Sequence, residues 1–148
     1  MKLVESIAAR VWLLLLATSL LGCEHTPWGG RERAGVSARG AALVTLNEEE
    51  FDQRVLKSRR PVVVDFFSPT CTICKGVEPV VASVADEYRG RIDVFKVDVF
   101  QQGALAERFR VELPPVFLVF QGGKVVAQLG GPISRDDLVA TIEPLMKG

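Results

Sequence analysis

The stretch that decides the fold is Val62-Val63-Val64-Asp65-Phe66-Phe67-Ser68-Pro69-Thr70-Cys71-Thr72-Ile73-Cys74-Lys75. Its first six residues are β-branched or aromatic except for one acid, which is typical of a buried strand. The Ser-Pro-Thr that follows has turn chemistry, and apolar side chains then recur at helical spacing as far as Tyr88. The pattern predicts a strand, a turn and a helix, with Cys71 at the first turn of the helix.

Two residues separate Cys71 from Cys74 at this predicted helix start. The free N–H groups of a first helical turn and the helix dipole favour a thiolate over a thiol. Cys71 is therefore the expected nucleophile, with Cys74 within disulfide reach. A permanent structural disulfide is the alternative, but a bridge across so short a loop removes little entropy from the unfolded chain and adds little stability. The position of Cys71 at a helix start therefore favours a redox role for the cysteine pair over a structural one.

The composition sets limits on the class of protein. The chain has 148 residues, 18 basic and 18 acidic side chains and 48% hydrophobic residues, which suits one globular core. The chain has neither a surplus of basic residues nor a basic run, so its charge does not indicate binding to nucleic acid. The single histidine, His25, precedes the expected folded domain, so the core has no histidine-based catalysis.

The N-terminus is typical of a targeting segment. Val11 to Leu21 is an unbroken apolar run of about eleven residues, the length of a signal-peptide core and too short to span a bilayer. It ends in Leu20-Leu21-Gly22-Cys23, which resembles the lipobox of bacterial lipoproteins. We therefore expect a lipoprotein signal peptide at residues 1–22 and lipidation of Cys23. The alternatives are an ordinary signal peptide or an uncleaved anchor with Cys23 incidental.

Each of these interpretations places the rest of the chain outside the cytoplasm. The expected location is the bacterial cell envelope, lipid-anchored to a membrane on its periplasmic or extracellular side. Residues 23–41 are rich in Gly and Arg without an apolar period, which predicts a flexible tether. Residues 42–148 form the expected folded domain, with elements in the order β-α-β-α-β-α-β-β-α. This alternation predicts an α/β domain whose central mixed sheet is flanked by helices on both faces.

From residue 42 onward the chain resembles the thioredoxin family. Four features carry the resemblance: the Val64-Asp65-Phe66-Phe67 strand, the Cys71-Thr72-Ile73-Cys74-Lys75 helix start, Pro79 inside that helix, and a Pro115-led strand that ends in Phe120-Gln121-Gly122-Gly123. The resemblance implies a thioredoxin-like fold and an oxidoreductase that acts on protein disulfides. In this chemistry Cys71 attacks a disulfide and Cys74 then displaces it from the mixed disulfide, which leaves a Cys71–Cys74 disulfide.

The resemblance also assigns roles to two charged residues on predicted strands. Asp65 lies among apolar residues, where a carboxylate costs free energy unless it is paired or neutral. The family role implied for it is to move the proton of Cys74. Lys96 aligns with a lysine that faces this acid in the family. The alternatives are a polar strand face for Asp65 and a solvated side chain for Lys96.

Four further residues are expected to bind substrate. Pro115 resembles the cis-proline that faces the cysteines in the family, and Pro114 before it has a carbonyl but no N–H to offer a substrate chain. Thr70 stands where the family has a tryptophan, so the surface that receives a partner differs. Gly130 resembles a glycine that leaves room for substrate, although a turn at the end of a strand explains it equally well.

The sequence thus predicts a membrane-tethered thiol–disulfide oxidoreductase, with the reductase direction favoured and neither cofactor nor metal. Its expected partners are client proteins with thiols or disulfides, a membrane electron donor or acceptor, and the membrane itself through the lipid on Cys23. Two alternatives remain open. Thr70-Cys71-x-x-Cys74 also resembles the loop of small copper chaperones, in which two thiolates hold Cu(I). The chain can also be a non-catalytic thioredoxin-fold binding protein.

Overall fold

The computed structural model describes residues 42–147. The strands are β1 (Val44–Thr45), β2 (Val62–Phe67), β3 (Asp93–Asp98), β4 (Val116–Gln121) and β5 (Lys124–Gly130). The helices are α1 (Glu48–Phe51), which continues as a π-helix over Asp52–Leu56, α2 (Thr72–Glu87), α3 (Gly103–Arg108) and α4 (Arg135–Ile142), which continues as a 3-10 helix over Glu143–Met146. The order of elements along the chain is the predicted one, and the α/β fold class is confirmed.

One mixed sheet joins the five strands in the spatial order β1-β3-β2-β4-β5. Strand β2 lies at its centre, parallel to β3 and antiparallel to β4. In this register Asp65 stands between Lys96 on β3 and Phe117 on β4. The sheet therefore holds the acid of the sequence motif at its middle, next to the lysine that the resemblance paired with it.

Helices cover both faces of the sheet, and each face has its own apolar core. Alternate residues of β2 point to opposite faces, so Val64 and Phe66 enter one core while Val63 enters the other. The first core includes a cluster of aromatic rings: Phe51, Phe66, Phe109 and Phe120. The second contains the buried side of α2 and of α4: Val77, Val81, Val84, Leu138 and Ile142. By the same alternation Asp65 shares the face of Val63, toward α2.

Helix starts follow the capping signals of the sequence. Asn47 caps α1 in a capping box with Glu50, and Ser134 caps α4 in the same way with Asp137. The first helix differs from the prediction of one regular helix, since it becomes a π-helix after a single α-helical turn. The Gln121–Lys124 hairpin is tight, and Gly122 and Gly123 supply the positive φ angles that it requires.

Three predictions of the sequence fall on residues that the structure does not describe. These are the signal peptide at residues 1–22, the lipidation site Cys23 and the tether at residues 23–41. Among residues 42–147 there is no helix with the length and apolar character needed to cross a bilayer.

Candidate active site

Cys71 is the N-cap residue of α2, and the preceding turn places it there. The Ser68 hydroxyl accepts a hydrogen bond from the Thr70 N–H at 3.3 Å, and the Cys71 N–H donates to the Ser68 carbonyl at 3.1 Å. Cys71 has the extended backbone of a cap, and its Sγ accepts a hydrogen bond from the Cys74 N–H at 3.1 Å. The sulfur thus occupies the place that a capping oxygen normally takes. A thiolate at this position is stabilised by that N–H and by the positive end of the helix.

The two cysteines form a disulfide, with their Cα atoms 5.3 Å apart. They differ in access, because Cys71 is partly exposed whereas only 4% of Cys74 is exposed. Another protein can therefore reach Cys71, while Cys74 lies behind it. Within residues 42–147 no three His, Cys, Asp or Glu side chains are grouped as metal ligands.

A cis-proline lies beside the exposed sulfur. The Pro114–Pro115 peptide bond is cis, as the resemblance implied, and the Pro114 carbonyl oxygen is 3.7 Å from Cys71 Sγ. The Pro115 side chain is buried, and its carbonyl accepts a hydrogen bond from the Gly131 N–H at 3.0 Å. Strand β4 therefore begins directly against the sulfur, with one backbone acceptor next to it.

Gly130 ends β5 and pairs in register with Val116, the residue after Pro115. A Cβ atom added at Gly130 would meet nothing within 4 Å. The positive φ angle belongs to the following residue, Gly131, so the turn does not require glycine at position 130. The structure thus places Gly130 beside the start of β4 with open space around it.

Exposed apolar side chains lie close to the sulfur in the chain. Ile73 lies between the two cysteines and is 49% exposed, and Leu113, directly before Pro114, is 82% exposed. Thr70, in the position of the family's tryptophan, is also exposed. An apolar surface of this kind favours contact with an apolar segment of a partner protein.

Asp65 is buried, with 1% of its surface exposed. Neither of its carboxylate oxygens accepts a hydrogen bond from any other group in residues 42–147. Removal from water raises the pKa of Asp65 from 3.8 to about 7; the positive charge of Lys96 opposes this rise, and the negative charge of Glu78 adds to it. The acid is therefore close to half-protonated near neutral pH, as a group that takes up and releases a proton must be.

Lys96 is buried rather than solvated, since 8% of its surface is exposed. Although it is the register neighbour of Asp65, its Nζ donates to Glu78 Oε1 at 2.7 Å and lies 4.1 Å from the centre of the Phe67 ring. Lys96 and Asp98 are buried because β3 lies inside the sheet, between β1 and β2. The alternative of a solvated Lys96 is therefore wrong.

Glu78 is a site residue that the sequence interpretation missed. It lies one helical turn after Cys74 on α2, so that the two side chains share a face of the helix. A pocket of about 90 Å³ opens here, and Cys74, Glu78 and Lys96 are among the residues that line it. A carboxylate four residues after the second cysteine was the available signal.

Two sulfurs that alternate between a disulfide and a dithiol, one of them open to another molecule, define a site for thiol–disulfide exchange. Asp65 is a buried acid on the face of the sheet covered by α2, with a pKa raised to about 7. The class of protein is therefore a dithiol–disulfide exchange protein built on an α/β sheet.

Comparison with known proteins identifies the family. The thioredoxin family profile matches residues 42–144. Thioredoxin C-2 of Corynebacterium nephridii is 36% identical over 103 residues, which cover 70% of this chain and 95% of that protein. Thioredoxin 1 of Nostoc sp. is 34% identical over 103 residues, 70% of this chain and 96% of that protein. Thioredoxin Y, chloroplastic, of Oryza sativa is 30% identical over 123 residues, 80% of this chain and 73% of that protein. The chain belongs to the thioredoxin family, and it is a thiol–disulfide oxidoreductase.

Proposed function

We propose that this protein is a membrane-tethered reductase of protein disulfides that works outside the cytoplasm. The observation that carries the proposal is the asymmetry of the two sulfurs. Cys71 is partly exposed at the N-cap of α2 and accepts a hydrogen bond from the Cys74 N–H, whereas Cys74 is buried behind it. The exposed sulfur is suited to attack a substrate, and the buried sulfur is suited to resolve the product.

The reaction has two exchange steps. The Cys71 thiolate attacks one sulfur of a client disulfide, so that a Cys71–client disulfide forms and the other client sulfur leaves as a thiolate. Cys74 then attacks Cys71 Sγ; the Cys71–Cys74 disulfide forms and the second client thiolate leaves. The client gains two electrons and, from solvent, two protons, and the protein loses two electrons. A dithiol donor must then reduce Cys71–Cys74 by the reverse steps.

Asp65 is assigned the role of accepting the Cys74 thiol proton in the second step. Cys74 is buried behind Cys71, and its thiol must lose a proton before its sulfur can attack. A base is therefore needed when Cys74 attacks. Asp65, with a pKa of about 7, is a buried carboxylate on the same side of the sheet that can accept this proton near neutral pH. Lys96 is the cation that favours the ionised form of this base.

Client binding is assigned to the backbone and the apolar rim around Cys71. The Pro114 carbonyl, 3.7 Å from the sulfur, can accept a hydrogen bond from an extended client segment. Pro114 donates none, so a client is held by one backbone bond at this residue. Ile73 and Leu113 are exposed and can make apolar contacts with a client. Thr70 is smaller than the tryptophan of the family, and the space beside Gly130 is open next to β4.

The location and the direction of the reaction are inferred from other features. The apolar run over residues 11–21 and the lipobox-like ending at Cys23 support a lipid anchor in a bacterial cell envelope. Relatives that bear the name thioredoxin support the reducing direction, since thioredoxins are among the more reducing dithiols. A reductase outside the cytoplasm needs electrons from a membrane donor.

Covalent trapping in cells tests the proposal. Cys74→Ser removes the resolving thiol, so adducts between Cys71 and envelope proteins are expected to accumulate and to dissolve with a reducing agent. Cys71→Ser is the matched control and is expected to trap nothing. Equal trapping by both variants, or by neither, contradicts the assignment. Stoichiometric Cu(I) binding without disulfide reduction would instead indicate the copper-binding alternative.

Fractionation tests the anchor. The protein is expected in the membrane fraction, labelled by a fatty acid, and Cys23→Ser is expected to abolish the label. An unlabelled wild-type protein would contradict the lipid assignment while leaving the exchange chemistry intact.

A further inference from the structure

The Glu78–Lys96 ion pair lies next to Asp65, whose carboxylate accepts no hydrogen bond within the described residues. Lys96 Nζ is 2.7 Å from Glu78 Oε1, whereas neither oxygen of Asp65 accepts a hydrogen bond from any group of the described chain. This is unexpected, because Asp65 and Lys96 are register neighbours in the sheet and Asp65 is the more buried of the two acids. The lysine is therefore held by the acid on the helix and not by the acid beside it.

Three ionisable side chains from three elements interact electrostatically here. Asp65 comes from β2, Lys96 from β3 and Glu78 from α2, while on the other side of Asp65 strand β4 offers only the apolar Phe117. Cys74 lies one turn before Glu78 on α2 and lines the same pocket as Glu78 and Lys96. These groups determine the charge that Asp65 experiences.

Because Lys96 donates to Glu78 and Asp65 accepts no hydrogen bond within the described residues, Glu78 affects how strongly the lysine acts on Asp65. A direct ion pair with Lys96 would make Asp65 a weak base, since an opposite charge in contact favours the ionised form of an acid. With Lys96 held by Glu78, its positive charge is largely balanced before it acts on Asp65. The basicity of Asp65 is then preserved.

We propose that Glu78 is a positioning residue for the second exchange step: it anchors the Lys96 ammonium at the pocket and so keeps Asp65 free to accept the Cys74 proton. The inference rests on the exchange reaction proposed for Cys71 and Cys74. In that step the Cys74 S–H bond breaks, Asp65 gains the proton, the Cys71–Cys74 bond forms and the client leaves as a thiolate. Asp65 then returns the proton to solvent, so the acid is unchanged over a cycle.

The pocket lies beside the Glu78–Lys96 pair, and both residues line it. Its volume of about 90 Å³ has room for a few water molecules, which could reach the Cys74 side of α2. The Glu78 side chain is 47% exposed while that of Lys96 is 10% exposed, so the pair extends from solvent toward the buried acid.

A stopped-flow assay can separate the attack by Cys71 from the resolution by Cys74. The substrate is a symmetrical aromatic disulfide that releases a coloured thiolate. The reduced protein releases one coloured thiolate when Cys71 attacks and a second when Cys74 resolves the mixed disulfide. In the wild-type protein the second phase is expected to slow below about pH 7, as Asp65 becomes protonated. Glu78→Gln is expected to shift the pH at which the second phase is half-maximal to a lower value. At pH 8 it is expected to slow the second phase by about two- to fivefold, because Asp65 becomes a weaker base than in the wild-type protein.

Three comparisons decide between positioning and a merely structural role. Glu87→Gln is the matched control, since Glu87 lies on the same helix and pairs with Arg135 at the surface; it is expected to match the wild type in both phases. Lys96→Met is expected to move the midpoint to higher pH. In an Asp65→Asn background, Glu78→Gln is expected to add nothing.

The inference is overturned if the second phase of Glu78→Gln follows that of Glu87→Gln at every pH, or if Glu78→Gln still changes the second phase when Asp65 is absent. A wild-type protein that shows no second phase at all would contradict the exchange reaction itself, which is a separate result. Because about half of the Glu78 side chain is in solvent, the glutamine variant is expected to fold.

Discussion

Replacement of Asp65 by asparagine is expected to change how stability depends on pH. The pKa of Asp65 rises from 3.8 to about 7 on folding, chiefly because burial disfavours its charged form. Well below pH 3.8 the carboxyl is protonated in both states and imposes no electrostatic penalty. As the pH rises, the unfolded chain loses this proton first, so stability falls until the folded protein also ionises above about pH 7.

The size of this effect follows from the two pKa values. At about 1.4 kcal/mol for each tenfold change in acidity, a rise from 3.8 to about 7 corresponds to about 4 kcal/mol. Because Asp65 is only 1% exposed, solvent does little to screen the effect. The asparagine side chain does not ionise, so the free energy of unfolding of Asp65→Asn relative to wild type is expected to grow by about 4 kcal/mol between about pH 3.5 and pH 8.5.

Urea unfolding of the oxidised protein at several pH values measures this difference. In the oxidised form the cysteines do not titrate, and groups far from Asp65 affect both proteins equally and cancel. Asp136→Asn, which removes an exposed carboxyl at the start of α4, measures the effect of losing a surface acid alone. If the difference between Asp65→Asn and wild type stays constant over this pH range, the raised pKa of Asp65 is refuted.

Two further predictions concern the hairpin and the client site. A Cβ at Gly123 would overlap the Leu56 carbonyl oxygen, whereas one at Gly122 would meet nothing within 4 Å, although both residues have positive φ angles. In urea unfolding Gly122→Ala is expected to cost about 1 kcal/mol and Gly123→Ala on the order of 3 kcal/mol, and equal losses would contradict the contact. Pro114→Ile introduces a backbone N–H at position 114, so the KM for a disulfide-linked peptide is expected to fall about two- to tenfold with kcat unchanged. An unchanged or higher KM would show that clients do not use this backbone position.

The elements and the two sulfurs could be predicted from the sequence because their signals are local. The β-branched run before Cys71, the apolar period after Cys74 and the caps at Asn47 and Ser134 each act within a few residues. The hairpin needs only its Gly-Gly pair. Cys71 becomes a cap residue through the turn directly before it, so its chemistry is also determined locally.

The electrostatics of the site depend on contacts between distant segments. Lys96 occupies an alternating strand, and only the order of strands in the sheet determines that this position is buried. Glu78 and Lys96 are 18 residues apart in the sequence, and no local pattern predicts which acid pairs with the lysine. The spacing of Glu78 from Cys74 puts both on one face of α2. The sequence could therefore have predicted that Glu78 lies near the site, but not that it pairs with Lys96.

Reactivity of the reduced protein toward iodoacetamide as a function of pH tests directly whether Cys71 works as an exposed thiolate at the N-terminus of α2. Mass spectrometry identifies the cysteine that is modified. We expect Cys71 to be alkylated first, with a half-maximal rate clearly below about pH 8.5, the ordinary midpoint of a free thiol, and Cys74 to stay unmodified while the protein is folded. A midpoint of about 8.5 or higher, or modification of Cys74 before Cys71, would contradict the assignment of Cys71 as the attacking sulfur.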